Sequence, residues 1–187
     1  TFGLSVLCSK STLVLFRSFK YCMNCKLRAF LFGVLTQIVL PVHCQLSGTV
    51  SVPGTYSTIA SAIVDINTQG VNGPLTVNIM AGYTESVIAG VFTLTETVTP
   101  SSPIIFQRSG TGNNPLLVAY GGNKTPGSAT QDGVWRLAGC DHITVDGIDI
   151  VDRNTNNPAT MEFGYGLFKL NGIDGCQHVT IKNCVIT

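Results

Sequence analysis

Gly139-Cys140-Asp141-His142-Ile143-Thr144-Val145-Asp146-Gly147-Ile148-Asp149-Ile150 returns 36 residues later as Gly175-Cys176-Gln177-His178-Val179-Thr180-Ile181-Lys182-Asn183-Cys184-Val185-Ile186. The Gly, Cys, His, Thr and final Ile are identical, and two further positions exchange only Ile and Val. A shorter echo precedes each copy: Gly133-Val134-Trp135-Arg136-Leu137 and Gly166-Leu167-Phe168-Lys169-Leu170, offset by 33, so the second copy carries three extra residues between its halves. Repetition at this period is the mark of stacked units that bury a continuous core between neighbours. Within each copy Ile143 and Val145, or Val179 and Ile181, alternate with polar residues. Successive side chains of a strand point to opposite faces, so the apolar set faces inward. Gly147 turns a corner, after which Ile148 and Ile150, or Cys184 and Ile186, continue inward.

Parallel stacking of the copies predicts like on like: Ile143 under Val179, Val145 under Ile181 and Trp135 under Phe168. The outward ladders are then His142 with His178, Thr144 with Thr180, Asp146 with Lys182 and Arg136 with Lys169. Cys140 and Cys176 occupy equivalent positions and read as two thiols packing like small hydrophobes.

Upstream, Ser57–Gln69 is the one helical stretch, with Ile59, Ala62, Ile63 and Ile66 on one face and Ser57 or Thr58 as cap. Gly70 and Gly73-Pro74 end it. Residues 75–79, 104–106 and 116–120 read as strands. Residues 81–85 read as a turn, 108–115 as a Gly- and Asn-rich linker and 121–133 as a polar loop.

The chain opens at Thr1, and residues 1–22 read as an upstream extension. Met23-Asn24-Cys25-Lys26-Leu27-Arg28 is a basic start, followed by the apolar run Ala29–Leu40 and by Pro41-Val42-His43-Cys44. This is the order of a secretory signal peptide, with cleavage expected at Cys44–Gln45. The 12-residue run falls short of the roughly 20 residues of a membrane-spanning helix, so no stable span is expected after cleavage. All 10 acidic residues and only 6 of the 11 basic ones lie beyond Cys44, leaving that segment at −4. So acidic a segment is a poor partner for nucleic acid, which is bound through Lys and Arg. Its three cysteines, Cys140, Cys176 and Cys184, form no even framework of disulfides.

The DHITVDGIDIVD and QHVTIKNCVIT segments resemble the repeat of the right-handed parallel β-helix, the pectin-lyase-like superfamily. Tyr56–Thr84 is similar to the N-terminal cap and first coil of secreted β-helix proteins of the Bacteroidota type. SPIIFQRSGTGNNPLLVAYGG resembles the coil that follows. The resemblance, spanning Gly48–Thr187, implies an all-β solenoid: a cap over residues 45–74, then coils from residue 75 that continue past Thr187. It implies export to the medium or the outer cell surface, and a structural or binding module contacting polysaccharide or a cell-surface glycan. The rival is the N-terminal part of a polysaccharide lyase or glycoside hydrolase whose active site lies beyond residue 187.

No catalytic residue is expected within the chain. In lyases of this superfamily outward Arg or Lys contacts uronate, which singles out Arg136 and Lys169 as ligand-binding candidates. Tyr165, with Tyr120 and Phe163, is a candidate for stacking on sugar rings. Asp149, Asp152, Asp174 and Glu162 are carboxylates of the type used in glycoside hydrolysis, though no spacing selects a pair. Asp141, Asp146, Asp149 and Asp152 supply oxygen of the kind calcium takes, without the regular Gly-Asp pattern of calcium-binding β-rolls, so no cofactor is expected. His142 and His178 lack a third metal ligand and read as a structural ladder. Asn123-Lys124-Thr125 matches a glycosylation sequon and reads as a loop.

Overall fold

One buried carboxylate fixes where the fold begins. Glu85 accepts hydrogen bonds from the main-chain N–H groups of Ile59 (2.7 Å) and Ala60 (3.2 Å) and from the Tyr83 hydroxyl (2.8 Å). Ile59 and Ala60 open helix α1, Ile59–Gln69. The first N–H groups of a helix have no partner within it, and a carboxylate there satisfies both the donors and the helix dipole. Thr58 is the N-cap, in a reciprocal capping box with Ser61. The helix thus starts two residues later than Ser57. Ile59, Ala62, Ile63 and Ile66 are buried, and Gly70 closes the last turn with φ 73°.

The computed structural model describes residues 45–88, 92–121, 133–153 and 161–187. The segment read as a signal peptide, the residues read as an extension before it and the Asn123 sequon lie outside the described residues. Among the described residues no helix is long and apolar enough to cross a membrane.

The rest is mostly β. The strands are β1 (Leu46–Val52), β2 (Val71–Met80), β3 (Thr84–Ser86), β4 (Thr93–Leu94), β5 (Ile104–Ser109), β6 (Leu116–Val118), β7 (Gly133–Ala138), β8 (Ile143–Asp146), β9 (Asp149–Val151), β10 (Phe163–Phe168) and β11 (Thr180–Lys182). They form three open sheets, every pairing parallel: sheet A in the order β1-β2-β5-β8-β11, sheet B as β3-β6-β9 and sheet C as β10-β7-β4. From β2 onward the chain visits A, B and C in strict rotation. Three expectations change here. Leu46–Val52 is a strand of sheet A where none was read. Thr84–Ser86 pairs with β6 rather than merely turning. Arg108 and Ser109 belong to β5 rather than to the linker.

One apolar cluster joins all three sheets and the helix. Sheet A contributes the in-register columns Val50–Val77–Phe106–Val145–Ile181 and Leu75–Ile104–Ile143. Sheet B contributes Glu85–Leu117–Ile150, so the polar member of that column sits at the helix end, where the free N–H groups need it. Trp135 of sheet C is fully buried, with Phe106 at 5.0 Å and Phe92 at 5.8 Å, both edge to face. The 36-residue offset holds at Thr144↔Thr180, Val145↔Ile181, Asp146↔Lys182 and Ile150↔Ile186.

The 33-residue offset does not hold. Sheet C pairs Gly133 with Phe163, Trp135 with Tyr165 and Arg136 with Gly166, an offset of 30. Trp135 therefore meets Tyr165, not Phe168, and the insertion between the two halves is six residues rather than three. Stacking Arg136 on Lys169 would have set like charges opposite each other. In the observed register the Arg136 guanidinium lies over the Phe168 ring, 4.1 Å from its centroid, and the Phe163 ring occupies the space a side chain at Gly133 would need.

Candidate functional site

The register of sheet C separates Arg136 from Lys169, which were expected to stack. Arg136 is held over Phe168, and Lys169 lies one residue past the end of β10, so the two form no ladder. Tyr165 is packed against the core: its ring lies 5.8 Å from Trp135, and its hydroxyl donates to the carbonyl of Ile148 at 2.8 Å. Burial, more than the nearby Cys184 sulfur, pushes that phenol far above its usual range.

The repeat residues sit where the 36-residue offset puts them. The His142 and His178 rings stack with centroids 4.5 Å apart and planes 10° from parallel, both on left-handed backbone at φ 54° and 55°. Parallel rings point their lone pairs side by side rather than at one ion, which suits a ladder and not a chelate. Among the described residues the three cysteines are free thiols. Cys140 directs its sulfur at the Leu94 carbonyl (2.9 Å) and Cys176 at that of Leu137 (3.3 Å). Burial pushes the Cys140 thiol up to about 12. Since the thiolate is the reactive form, Cys140 is expected to resist alkylation in the native protein and to be labelled on unfolding, read by peptide mass spectrometry. Native labelling of Cys140 at the rate of a free thiol would contradict its burial.

The aspartates scatter into separate tasks. Asp141 accepts from the Gln177 N–H at 2.7 Å. Asp149 accepts from Asn114 (2.8 Å) and from the Val185 N–H (2.9 Å). Asp146 pairs with Lys182 at 3.2 Å. Among the described residues no three His, Cys, Asp or Glu side chains gather as a metal site would need. Of the candidate carboxylates, only Asp152 and Glu162 come together, lining a cavity of about 220 Å³ with Met161, Phe163 and Ile186. Asp174 lies in the turn after β10, its carbonyl accepting from Leu170.

What the sheets do assemble is a polar face on the outside of sheet A. Two columns cross its strands in register. One is Thr49–Thr76–Ile105–Thr144–Thr180, and the other is Ser51–Asn78–Gln107–Asp146–Lys182. Gln107 donates to Asn78 at 2.9 Å, and Asn183 donates to Asp146 at 2.7 Å. The Asn183 hydrogen bond holds the Asp146 carboxyl below its usual range, opposed by burial and helped by Lys182.

At the edge of this face, Gln107, Arg108, Asn114, Asp146, Gly147 and Asn183 line a groove of about 240 Å³. Gly147 and Asn183 are equivalent corner residues with φ 68° and 56°. Glycine, and less readily asparagine, adopts that backbone, so the corner repeats although the side chain differs. A side chain at Gly147 would stand 3.2 Å from Asn114 Oδ1 and 3.5 Å from Arg108 Cβ, so its absence keeps the groove open. Arg108, the last residue but one of β5, sits at an inward position by alternation yet is exposed, and its Nη1 ties down the Gly112 carbonyl at 2.8 Å.

Of these side chains, sequence reasoning found only the Thr144–Thr180 and Asp146–Lys182 pairs. The signal for the rest was present. Leu75-Thr-Val-Asn78, Ile104-Ile-Phe-Gln107, Ile143-Thr-Val-Asp146 and Val179-Thr-Ile-Lys182 share one alternation and end in a polar residue. They lack the identities that made the Gly139 repeat conspicuous. No protein-family model, no curated protein and no solved structure matches the chain.

Proposed function

We propose that the chain is a right-handed parallel β-helix module, exported to the cell surface or the medium, that contacts carbohydrate through the outer face of sheet A. In support of the β-helix, all three sheets are parallel, the chain visits them in rotation, and apolar residues stack like on like. Parallel strands joined by crossovers are right-handed in nearly all cases. The Met23–Cys44 segment, with its basic start, apolar run and cleavage pattern, supports export.

The observation that carries the binding reading is the polar column Ser51–Asn78–Gln107–Asp146–Lys182 with its groove. These side chains stand in register on a rigid sheet and keep hydrogen-bonding capacity toward solvent. Sugar hydroxyls both donate and accept, as do amides taken as a group. A rigid, ordered array loses little entropy when such a ligand lands on it.

The full chain is expected to be retained on at least one member of a panel of immobilised polysaccharides. Gln107→Ala combined with Asn183→Gly is expected to weaken that retention by about tenfold or more, through two lost hydrogen bonds. No retention on any member, or retention that the double change leaves intact, would refute the assignment. A hydrolase reading has one observation behind it, the shared cavity of Asp152 and Glu162. Release of reducing ends that Glu162→Gln abolishes would favour it over a binding module.

A further inference from the structure

We infer that the sheet A groove selects neutral glycan over acidic glycan, and that the bound chain runs across the strands along the Asn78–Gln107–Asp146 column. The inference rests on the carbohydrate-binding reading and concerns the ligand class that the same face takes.

The charges at the groove offset one another: Arg108 and Lys182 stand against Asp146 and Asp149. Lys182 is paired with Asp146 at 3.2 Å. Arg108 donates one N–H to the Gly112 carbonyl and keeps its charge, which acts on Asp146. An anionic sugar entering the groove would meet the carboxylate of Asp146 in its lining, and that of Asp149 just behind Asn114. The segment beyond Cys44 carries a net −4, so long-range steering also works against polyanions.

Apart from Arg108, what remains open for bonding is neutral. Gln107 uses its amide nitrogen on Asn78, and Asn114 uses its nitrogen on Asp149 and on the Asn183 carbonyl (2.9 Å). The side-chain oxygens of Gln107 and Asn114 and the amide nitrogen of Asn78 make no hydrogen bond among the described residues. A donor and an acceptor on the column, with a second acceptor at its edge, match a run of hydroxyl groups. Strands of a sheet lie about 4.8 Å apart, so the column from Asn78 to Lys182 spans roughly 14 Å and can engage several sugars in succession.

The test uses the full chain in affinity electrophoresis and titration calorimetry against two probes, a soluble neutral β-glucan and polygalacturonate, at low and high salt. Expected is retention by the neutral polymer, insensitive to salt, with affinity rising from disaccharide to tetrasaccharide. Asn183→Gly keeps the corner backbone, as Gly147 does, and is expected to weaken binding about tenfold by removing one groove amide. If its melting curve shows it unfolded, Gln107→Ala serves in its place.

Polygalacturonate bound as tightly as the neutral polymer, with salt-sensitive retention, would overturn the selectivity while leaving carbohydrate binding in place. Neutral binding untouched by both changes, or no stronger for the tetrasaccharide, would overturn the placement along the column. Retention by neither probe would overturn this inference, and the reading beneath it falls with it only if the rest of the polysaccharide panel also fails to retain the chain.

Discussion

Replacing Val145 by Asp is expected to abolish folding. Val145 is fully buried between Phe106 and Ile181, in the column that crosses sheet A. An aspartate there must either carry a charge into an apolar stack or pay for staying neutral. The cost, about 4 kcal/mol or more, is comparable with the total stability of a typical domain, about 5–15 kcal/mol. The control is one residue away. Thr144 points outward, and Thr144→Asp should change stability by no more than about 0.5 kcal/mol. Circular dichroism and urea unfolding decide the matter. A Val145→Asp protein with wild-type spectrum and midpoint would mean that the faces of β8 are reversed.

Trp135→Ala is expected to cost about 3–5 kcal/mol, the range for emptying a large aromatic site. Trp135 is the largest fully buried side chain, wedged between Phe92, Phe106 and Tyr165. A double-mutant cycle makes the result a test of register as well as of packing. Trp135 and Tyr165 should couple by about 0.5–1.5 kcal/mol, as aromatic pairs do, whereas Trp135 and Phe168 should be additive. Coupling to Phe168 instead would restore the 33-residue offset.

That offset shows where the sequence was legible and where it was not. The Gly139 repeat could be placed because its shared residues are those whose positions are constrained: inward Ile and Val, corner residues and the left-handed histidines. The echo at Gly133 and Gly166 matched glycine to glycine, aromatic to aromatic and cation to cation. Sheet C follows side-chain volume instead. Gly133 is left bare for Phe163, Gly166 lies beside Arg136, and Tyr165 fills the place next to Trp135. Identity between repeats marks conserved geometry, whereas complementarity between a small and a large residue leaves no identity to find.

The candidate site was hidden for a related reason. Asn78, Gln107 and Asp146 share a position but not a chemistry, so they align only once Leu75, Ile104 and Ile143 are recognised as one column. Arg108 was read as the start of the linker because two glycines and two asparagines follow it closely, whereas β5 runs on to Ser109. Glu85 illustrates the opposite case. A lone acid in an inward position looks like a breach of pattern until the helix it caps is known.

The rotation through sheets A, B and C also orders assembly in time. Thr76 pairs with Ile105, Ile105 with Thr144 and Thr144 with Thr180, separations of 29, 39 and 36 residues. Every strand from β5 onward therefore docks against a neighbour nearer the N-terminus, never against one still to be made. On a ribosome that emits the chain from its N-terminus, each template precedes its copy. No contact of the sheets has to be held open for a distant partner, and the loop-closure entropy of each step stays near that of a few dozen residues.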